Sequence, residues 1–277
     1  MTRLADGSFL ADLIADDPVG WLGREHVARY GTSTGLLVKL LDAGQRLPLH
    51  VHPSRDFAAE HLASPYGKTE AWIVIEAEPG AVVHLGFSRD VSAAELAGWV
   101  RGQDTGSMLA ATNQVLVAAG DSVLCPAGTP HAIGEGVLLV ELQEPTDLSL
   151  ILELRGFPLN PDEAALGLPL DEVLGCVNRR AYSPEQLRGL RGRPLNQAAG
   201  SLLPGEADPF FVAEQVSAGR LPAGFSVLVA TSGTGTLDAE RGAPIPVRRG
   251  STVVIPYAAG PCTLTGDVTA VRCLPAS

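Results

Sequence analysis

The sequence predicts an all-β fold of two jelly-roll barrels, with a small helical insertion and a partly helical connector. Its 277 residues are 45% hydrophobic and only 18% charged, with 31 glycines and 21 prolines. That balance suits a turn-rich β protein with a sizeable core. Short apolar stretches typical of strands occur in both halves of the chain. A weak internal repeat links the two halves, and such a repeat indicates a duplicated architecture.

The first half contains the stretches expected of strands. They are TGLLVKLLDAG, LPLHVHP, TEAWIVIEAEPG, AVVHLGF, QVLVAAG, DSVLCPAG and VLLVELQ. A helix is predicted over residues 92–101, because Ser92 and Glu95 have the form of a capping box. A second short helix is predicted over residues 105–112. Together they form the helical insertion near residues 92–112.

Composition changes after the first half and divides the chain into three expected parts. The stretch from 157 to 205 is rich in Pro, Arg and Leu, with helical pieces near 171–177 and 183–190. Short strands then return in FFVAEQV, FSVLVATSG, TGTLDAE, STVVIPY and VTAVRCL. We therefore expect a first barrel in residues 1–156, a connector in 157–205 and a second barrel in 206–277.

The internal repeat is a glycine followed, after five residues, by a proline. Gly120 and Pro126 form the first copy, and Gly250 and Pro256 form the second. Each glycine makes a turn into an apolar strand, which the proline ends at an edge. The first copy runs on to His131, whereas the second offers no histidine. One barrel therefore has a metal-ligand position that the other lacks.

Four residues of the first barrel have the chemistry of metal ligands. His50 and His52 are two apart on a predicted strand, so both imidazoles point to one face. Glu70 begins an otherwise apolar strand, and His131 follows the first copy of the repeat. Three nitrogens and one oxygen suit zinc, and also iron, manganese or nickel. His84 is expected to be packed in the core or to support a ligand. The sequence predicts one divalent metal ion.

Charge and the N-terminal segment exclude several classes of partner. The formal net charge is −11 and no basic patch stands out, which argues against a nucleic-acid partner. The segment MTRLADGSFLADLIADD interrupts its apolar residues with acids, which argues against a signal peptide. No apolar stretch reaches the ~20 residues of a membrane span. We therefore expect a cytoplasmic protein with no membrane partner. Exposed sheet edges often pair, which leaves a homodimer open.

Three segments carry a resemblance to a known family. YGKTEAW at residues 66–72 is similar to a G-K-T-E-x-W motif, LPLHVHP to a Q-V-H-P segment, and CPAGTPHAIGEGVLLVELQ to a P-x-G-T-x-H-A-I-G segment. All three motifs are typical of the type I mannose-6-phosphate isomerases, and from about residue 35 the chain resembles their short bacterial form. The resemblance implies a double cupin whose second barrel holds no metal.

The resemblance also implies a set of metal ligands. The zinc ligands of the family fall on His52, Glu70 and His131. A fourth ligand of the family, usually glutamine, falls on His50. A histidine there binds through nitrogen and changes the field at the metal.

Catalytic residues implied by the resemblance include one departure from the family. The active-site lysine falls on Lys68, as a donor to a sugar oxygen or to phosphate. The family acid falls on Glu141, which is either an acid/base or a rim carboxylate paired with a cation. The family's catalytic arginine falls on Ile151. Arg155 lies ~13 Å further along an extended strand, where it either binds phosphate in compensation or is simply solvated.

Three functions remain as expectations. The first is a metal-dependent isomerase that interconverts mannose 6-phosphate and fructose 6-phosphate, or a related sugar phosphate. The second is a non-catalytic metal-containing protein that binds a sugar or sugar phosphate. The third is another metal-dependent cupin enzyme, since cupins support many activities. The Lys68–Glu70 motif favours the first over the third, and Ile151 favours the second over the first.

Overall fold

A computed structural model of the chain describes residues 2–195 and 201–276. It divides the protein into two compact units. One unit is the continuous stretch Lys39–Leu195. The other combines Met1–Val38 with Asn196–Ser277.

The described residues form nine α-helices and fifteen strands. The helices are α1 (Leu10–Asp16), α2 (Pro18–Leu22), α3 (Arg24–Tyr30), α4 (Arg55–His61), α5 (Ala93–Gly102), α6 (Thr105–Ala110), α7 (Pro161–Ala164), α8 (Leu170–Gly175) and α9 (Pro184–Gly189). The strands are β1 (Leu37–Ala43), β2 (His50–Val51), β3 (Glu70–Ala77), β4 (Val82–Phe87), β5 (Thr112–Leu116), β6 (Ser122–Cys125), β7 (His131–Ile133), β8 (Val137–Gln143), β9 (Leu150–Ile151), β10 (Phe211–Val216), β11 (Gly219–Leu221), β12 (Ser226–Ala239), β13 (Ile245–Arg248), β14 (Thr252–Ile255) and β15 (Cys262–Pro275). Two short 3₁₀-helices cover Gly205–Ala207 and Tyr257–Ala259.

Two sheets build the continuous unit. One has the strand order β1-β8-β3-β6 and the other β5-β4-β7-β2-β9. Both sheets contribute to a single buried core, in which Trp72 and Val74 of β3 pack with Leu85 of β4 and Ile133 of β7. The shared core implies that the two sheets face each other, so side chains from both can converge on one interior site.

The predicted helical insertion covers the opposite side of the five-stranded sheet. Leu96 of α5 and Met108 of α6 join a second buried cluster with Phe87 and Ala132 of that sheet. The Oγ of Ser92 accepts the backbone N–H of Glu95, as predicted for the cap. The carboxylate of Glu95 instead pairs with the Arg89 guanidinium, so the reciprocal half of the predicted capping box is replaced by an ion pair.

The predicted division of the chain differs from the two units. Helix α8, inside the predicted connector 157–205, buries Val173 and Leu174 in the same cluster as Phe87, so the stretch up to Leu195 belongs to the first unit. Residues 196–200 of that connector lie outside the described residues. The first 38 residues of the predicted first barrel, 1–156, belong to the other unit.

The second unit has one six-stranded sheet with three helices. Its strand order is β10-β15-β12-β13, with β11 on β15 and β14 on β12. FSVLVATSG and TGTLDAE, predicted as two strands, form the single strand β12. The predicted boundary falls after Gly233, which instead allows close backbone approach inside the strand, because a Cβ there would lie 1.6 Å from the Asp267 carbonyl oxygen. In the described part of the chain, every helix is too short or too polar to serve as a membrane span.

Candidate metal centre

The two facing sheets of the continuous unit bring the four predicted ligands together. His50 of β2 is directly opposite His131 of β7 in the five-stranded sheet. Glu70 is the first residue of β3 in the other sheet. The side chains of His52, Glu70 and His131 are 1–2% exposed. Their interior position follows from strand alternation, which turns i and i+2 residues to one face.

Backbone carbonyls fix the orientation of all three imidazoles. Nδ1 of His50 lies 2.8 Å from the Pro48 carbonyl oxygen, and Nδ1 of His131 lies 2.8 Å from that of Thr129. Nδ1 of His52 lies 2.9 Å from the Leu148 carbonyl oxygen. A carbonyl oxygen can only accept, so each Nδ1 carries the proton. Each ring can therefore present the lone pair of Nε2 to a metal ion, because its contact with a backbone carbonyl fixes both the tautomer and the orientation.

The Nε2 atoms converge on one carboxylate. Nε2 of His52 lies 3.0 Å from Oε2 of Glu70, and Nε2 of His131 lies 3.1 Å from Oε1. Within the described residues, three of these buried atoms have no hydrogen-bond partner: Nε2 of His52, Nε2 of His131 and Oε2 of Glu70. Buried acceptors that face one another are unfavourable unless a cation lies among them. The residues therefore fit a divalent metal ion.

Electrostatics keep His50 and His52 neutral and the Glu70 carboxylate ionised. Burial lowers the pKa of His52 to about 4. Burial and the neighbouring imidazoles also hold the pKa of His50 well below its ordinary value. Burial opposes ionisation of Glu70, but His52, His131 and Lys68 together hold its pKa well below the ordinary value. Neutral imidazoles with an ionised carboxylate are the protonation states that metal binding requires.

The segment before Glu70 is anchored by backbone contacts. The backbone N–H of Lys68 donates to the Pro53 carbonyl oxygen at 2.9 Å. A Cβ on Gly67 would lie 2.5 Å from that same oxygen, so only glycine allows the close approach. The Lys68 side chain is 5% exposed, and its Nζ lies 3.5 Å from Oε2 of Glu70. Lys68 therefore places a nearly buried positive charge beside Glu70.

Glu141 faces the same interior from β8. It is directly opposite Trp72, two residues after Glu70, so the three side chains share a face. Burial and the charge of Glu70 raise the pKa of Glu141 to about 7. Nζ of Lys39, in β1, lies 3.8 Å from Oε1 of Glu141. A carboxyl group with this pKa can both accept and release a proton near neutral pH.

Ile151 and Arg155 occupy very different places. Ile151 is paired directly with His50, at the edge of the cluster. Strand β9 ends there, so the strand does not continue to Arg155. Arg155 is exposed, and its guanidinium donates to the Gly102 carbonyl oxygen at the end of α5. None of the contacts described for Arg155 involves the metal cluster.

Sequence reasoning missed two residues near the cluster. Cys125 of β6 is directly opposite Glu70, and Lys39 contacts Glu141. A cysteine just before the proline of the first repeat copy, and a lysine in the apolar run LLVKLLDA, were the available signals. His84 is buried, and its Nδ1 lies 2.7 Å from the hydroxyl oxygen of Thr112. This contact is the kind expected of a histidine packed in the core.

Two curated proteins show similarity to part of this chain. The mannose-6-phosphate isomerase of Streptococcus mutans is 37% identical over 134 residues, which are 47% of this chain and 41% of that protein. The mannose-6-phosphate isomerase of Bacillus subtilis is 36% identical over 112 residues, or 40% of this chain and 34% of that protein. The matches thus span less than half of either relative. No protein-family model matches the chain.

Solved structures match almost the whole chain. The mannose 6-phosphate isomerase of Bacillus subtilis gives a TM-score of 0.74 at 20% identity, covering 96% of this chain and 82% of that chain. The apo phosphomannose isomerase of Salmonella typhimurium gives 0.74 at 16% identity, covering 99% and 87%. A mannose 6-phosphate isomerase bound with zinc and yttrium gives 0.73 at 16% identity, covering 98% and 86%. The chain therefore has their all-β double-cupin fold.

Proposed function

We propose that this chain, a divergent relative of the mannose-6-phosphate isomerases, is a zinc-dependent aldose–ketose isomerase. Its substrates would be mannose 6-phosphate and fructose 6-phosphate, or a closely related sugar phosphate. The observation that carries this proposal is the convergence of Nε2 of His52 and Nε2 of His131 on the Glu70 carboxylate, at 3.0 and 3.1 Å. His50 completes a set of three nitrogens and one oxygen, which suits zinc.

The reaction moves a proton between C1 and C2 of an open-chain sugar through an enediol. Zinc held by His50, His52, Glu70 and His131 would supply Lewis-acid polarisation of the sugar oxygens. The protein must also provide a group that removes the proton from one carbon and returns it to the next. Glu141 suits this role, because it is buried on the cluster face and has a pKa of about 7.

Lys68 is the second catalytic group of the proposal. Its ammonium is nearly buried beside Glu70 and can donate to a sugar oxygen as negative charge develops there. Lys39 of β1 donates to the carboxylate of Asp147 and lies 3.8 Å from Oε1 of Glu141, so it would add positive charge beside the proposed acid–base group. Arg155 has no part in the mechanism, since it lies at the end of α5.

A coupled assay for fructose 6-phosphate formed from mannose 6-phosphate tests the proposal. The zinc-loaded protein should turn over, and a chelator should abolish the activity until zinc is restored. We expect Lys68→Met and Glu141→Gln each to lower kcat by about 10²–10⁴-fold, the usual contribution of an acid–base group. Arg155→Ala should stay within about twofold of the parent. No turnover by the zinc-loaded protein would refute the proposal.

The replacement of the family arginine by Ile151 favours one further candidate. Without a guanidinium beside His50, the site would bind a sugar or sugar phosphate and leave it unchanged. Calorimetry with mannose 6-phosphate separates the two candidates. Binding without turnover supports the non-catalytic protein, whereas turnover excludes it.

A further inference from the structure

Cys125 lies beside the metal centre, although nothing in the proposed mechanism uses it. It ends strand β6 and is directly opposite Glu70 of β3. Directly opposed residues of paired strands point to the same face. The Cys125 side chain is 1% exposed and forms no disulfide. The thiol therefore faces the interior that holds the cluster.

The sulfur is close enough to share an ion with its neighbours. Sγ of Cys125, a carboxylate oxygen of Glu70 and a ring nitrogen of His131 all lie within 4.8 Å of one another. Glu70 and His131 each carry a buried acceptor without a hydrogen-bond partner in the described residues, Oε2 of Glu70 and Nε2 of His131. These unpartnered acceptors call for a cation at the two residues that the sulfur also approaches.

We propose that the sulfur of Cys125 is a ligand of the metal ion at this centre. The donor set then comprises three imidazole nitrogens, one carboxylate oxygen and one thiolate sulfur. A thiolate and the Glu70 carboxylate together balance the charge of a divalent ion. The inference rests on the metal centre of the proposed function, but its test reads the metal alone and needs no turnover.

A sulfur donor changes which metals the centre selects. Thiolate and imidazole ligands favour zinc, whereas magnesium and manganese favour oxygen. The centre should therefore retain zinc or cobalt in preference to manganese. Zinc takes four ligands, and sometimes five, so the sulfur and a substrate oxygen would compete for one position.

X-ray absorption of the zinc-loaded parent protein is the direct test. We expect a sulfur scatterer at about 2.3 Å from zinc, besides nitrogen and oxygen at about 2.0–2.2 Å. A zinc shell made of nitrogen and oxygen alone would overturn the assignment. This measurement needs no variant, so it stands even if substitution of the buried Cys125 disturbs folding.

Cobalt substitution gives a second readout with a matched control. A Co²⁺–thiolate bond gives a charge-transfer absorption in the near ultraviolet. Cys125→Ser should lose this band while binding one cobalt ion, and its zinc affinity should fall by at least about tenfold, which is the lower end of what losing even a supporting contact costs. Cys176→Ser, which removes another buried thiol of the same unit, should keep the band. An equal band in Cys125→Ser would contradict the assignment.

Mannose 6-phosphate separates this inference from the proposed function. If the sugar weakens the cobalt–thiolate band of the parent protein, both are supported. If the band is present and calorimetry on the same cobalt protein detects no binding of the sugar, Cys125 is a ligand and the proposed substrate is contradicted.

Discussion

Ile151 lies directly opposite His50 in the pairing of β9 with β2. The two side chains therefore share a face, and residue 151 borders the metal cluster. The resemblance to the mannose-6-phosphate isomerases expects an arginine at this position, so the cluster has an apolar neighbour where a guanidinium would stand. Lys68 and Lys39 bring positive charge to Glu70 and Glu141.

Ile151→Arg should increase turnover of mannose 6-phosphate. A guanidinium beside His50 would add a charge-assisted hydrogen bond to an anionic substrate or oxyanion, worth about 1.5–3 kcal/mol. We expect kcat/KM to rise by about 10–100-fold in the coupled assay. Ile151→Met, which keeps the size and adds no charge, is the control and should match the parent. A variant that retains zinc but gains no activity would contradict the expectation.

Loss of a ligand should remove the metal and its contribution to stability. His52→Ala and Glu70→Ala each delete one donor, so elemental analysis should find less than about one tenth of an ion per chain. Binding to the folded state alone stabilises it by about 2.7 kcal/mol at 100 times Kd, so zinc should raise the Tm of the parent and leave both variants unchanged. His84→Gln, in a buried histidine outside the cluster, should keep the ion. Full occupancy in His52→Ala would refute the ligand set.

Glu141 should make the metal-free protein less stable as pH rises. Its pKa is about 7 when folded against an ordinary value of 4.5, so the folded chain binds the proton more tightly. The resulting stability is fully present below pH ~4.5 and is lost as pH rises through about 7. At 1.36 kcal/mol per pKa unit, the contribution of Glu141 to the free energy of unfolding falls by about 3 kcal/mol over this pH range.

Urea titrations of parent and Glu141→Gln after chelation measure this effect. His52 acts in the opposite direction, because its lowered pKa adds stability as pH rises from about 4 towards 6.5. The comparison of the two proteins cancels that contribution. Relative to the parent, the variant should gain about 3 kcal/mol between pH 4.5 and pH 8. An identical pH dependence in both proteins would show that Glu141 is not buried in its protonated form.

Gly67→Ala should disturb the segment that carries Lys68 and Glu70. The added Cβ would lie 2.5 Å from the Pro53 carbonyl oxygen and 2.7 Å from the Arg55 backbone nitrogen, so the backbone must shift. Overpacking of this kind costs about 1–3 kcal/mol. We expect a lower Tm and weaker zinc binding. Gly44→Ala, where nothing lies within 4 Å of the new Cβ, should change the free energy of unfolding by less than about 0.5 kcal/mol.

Local spacing and the resemblance to the family were enough to predict which side chains converge. His50 and His52 share a strand face, and Glu70 begins the next long strand, so alternation alone turns them inward. Side chains that approach only through strand pairing were missed. Cys125 is 55 residues from Glu70 in sequence, and its position depends on the register of β6 with β3.

Strand ends were the other limit of the prediction. Ile151 and Arg155 lie in the apolar run ILELRGF, which gives no sign that β9 ends at its first residue. In the second unit, two strands were predicted with a boundary after Gly233, but β12 continues through Gly233 and Gly235. Their role in close backbone contact depends on the partner strand, which the local sequence does not contain.

The metal centre lies in a unit that is continuous in sequence, whereas the other unit draws on two distant stretches. During synthesis on a ribosome, domains generally fold as units in the order in which they emerge. All ligands of the centre have emerged once residue 195 has left the exit tunnel, while the discontinuous unit still lacks most of its strands. The nascent chain can therefore load its ion before translation is complete.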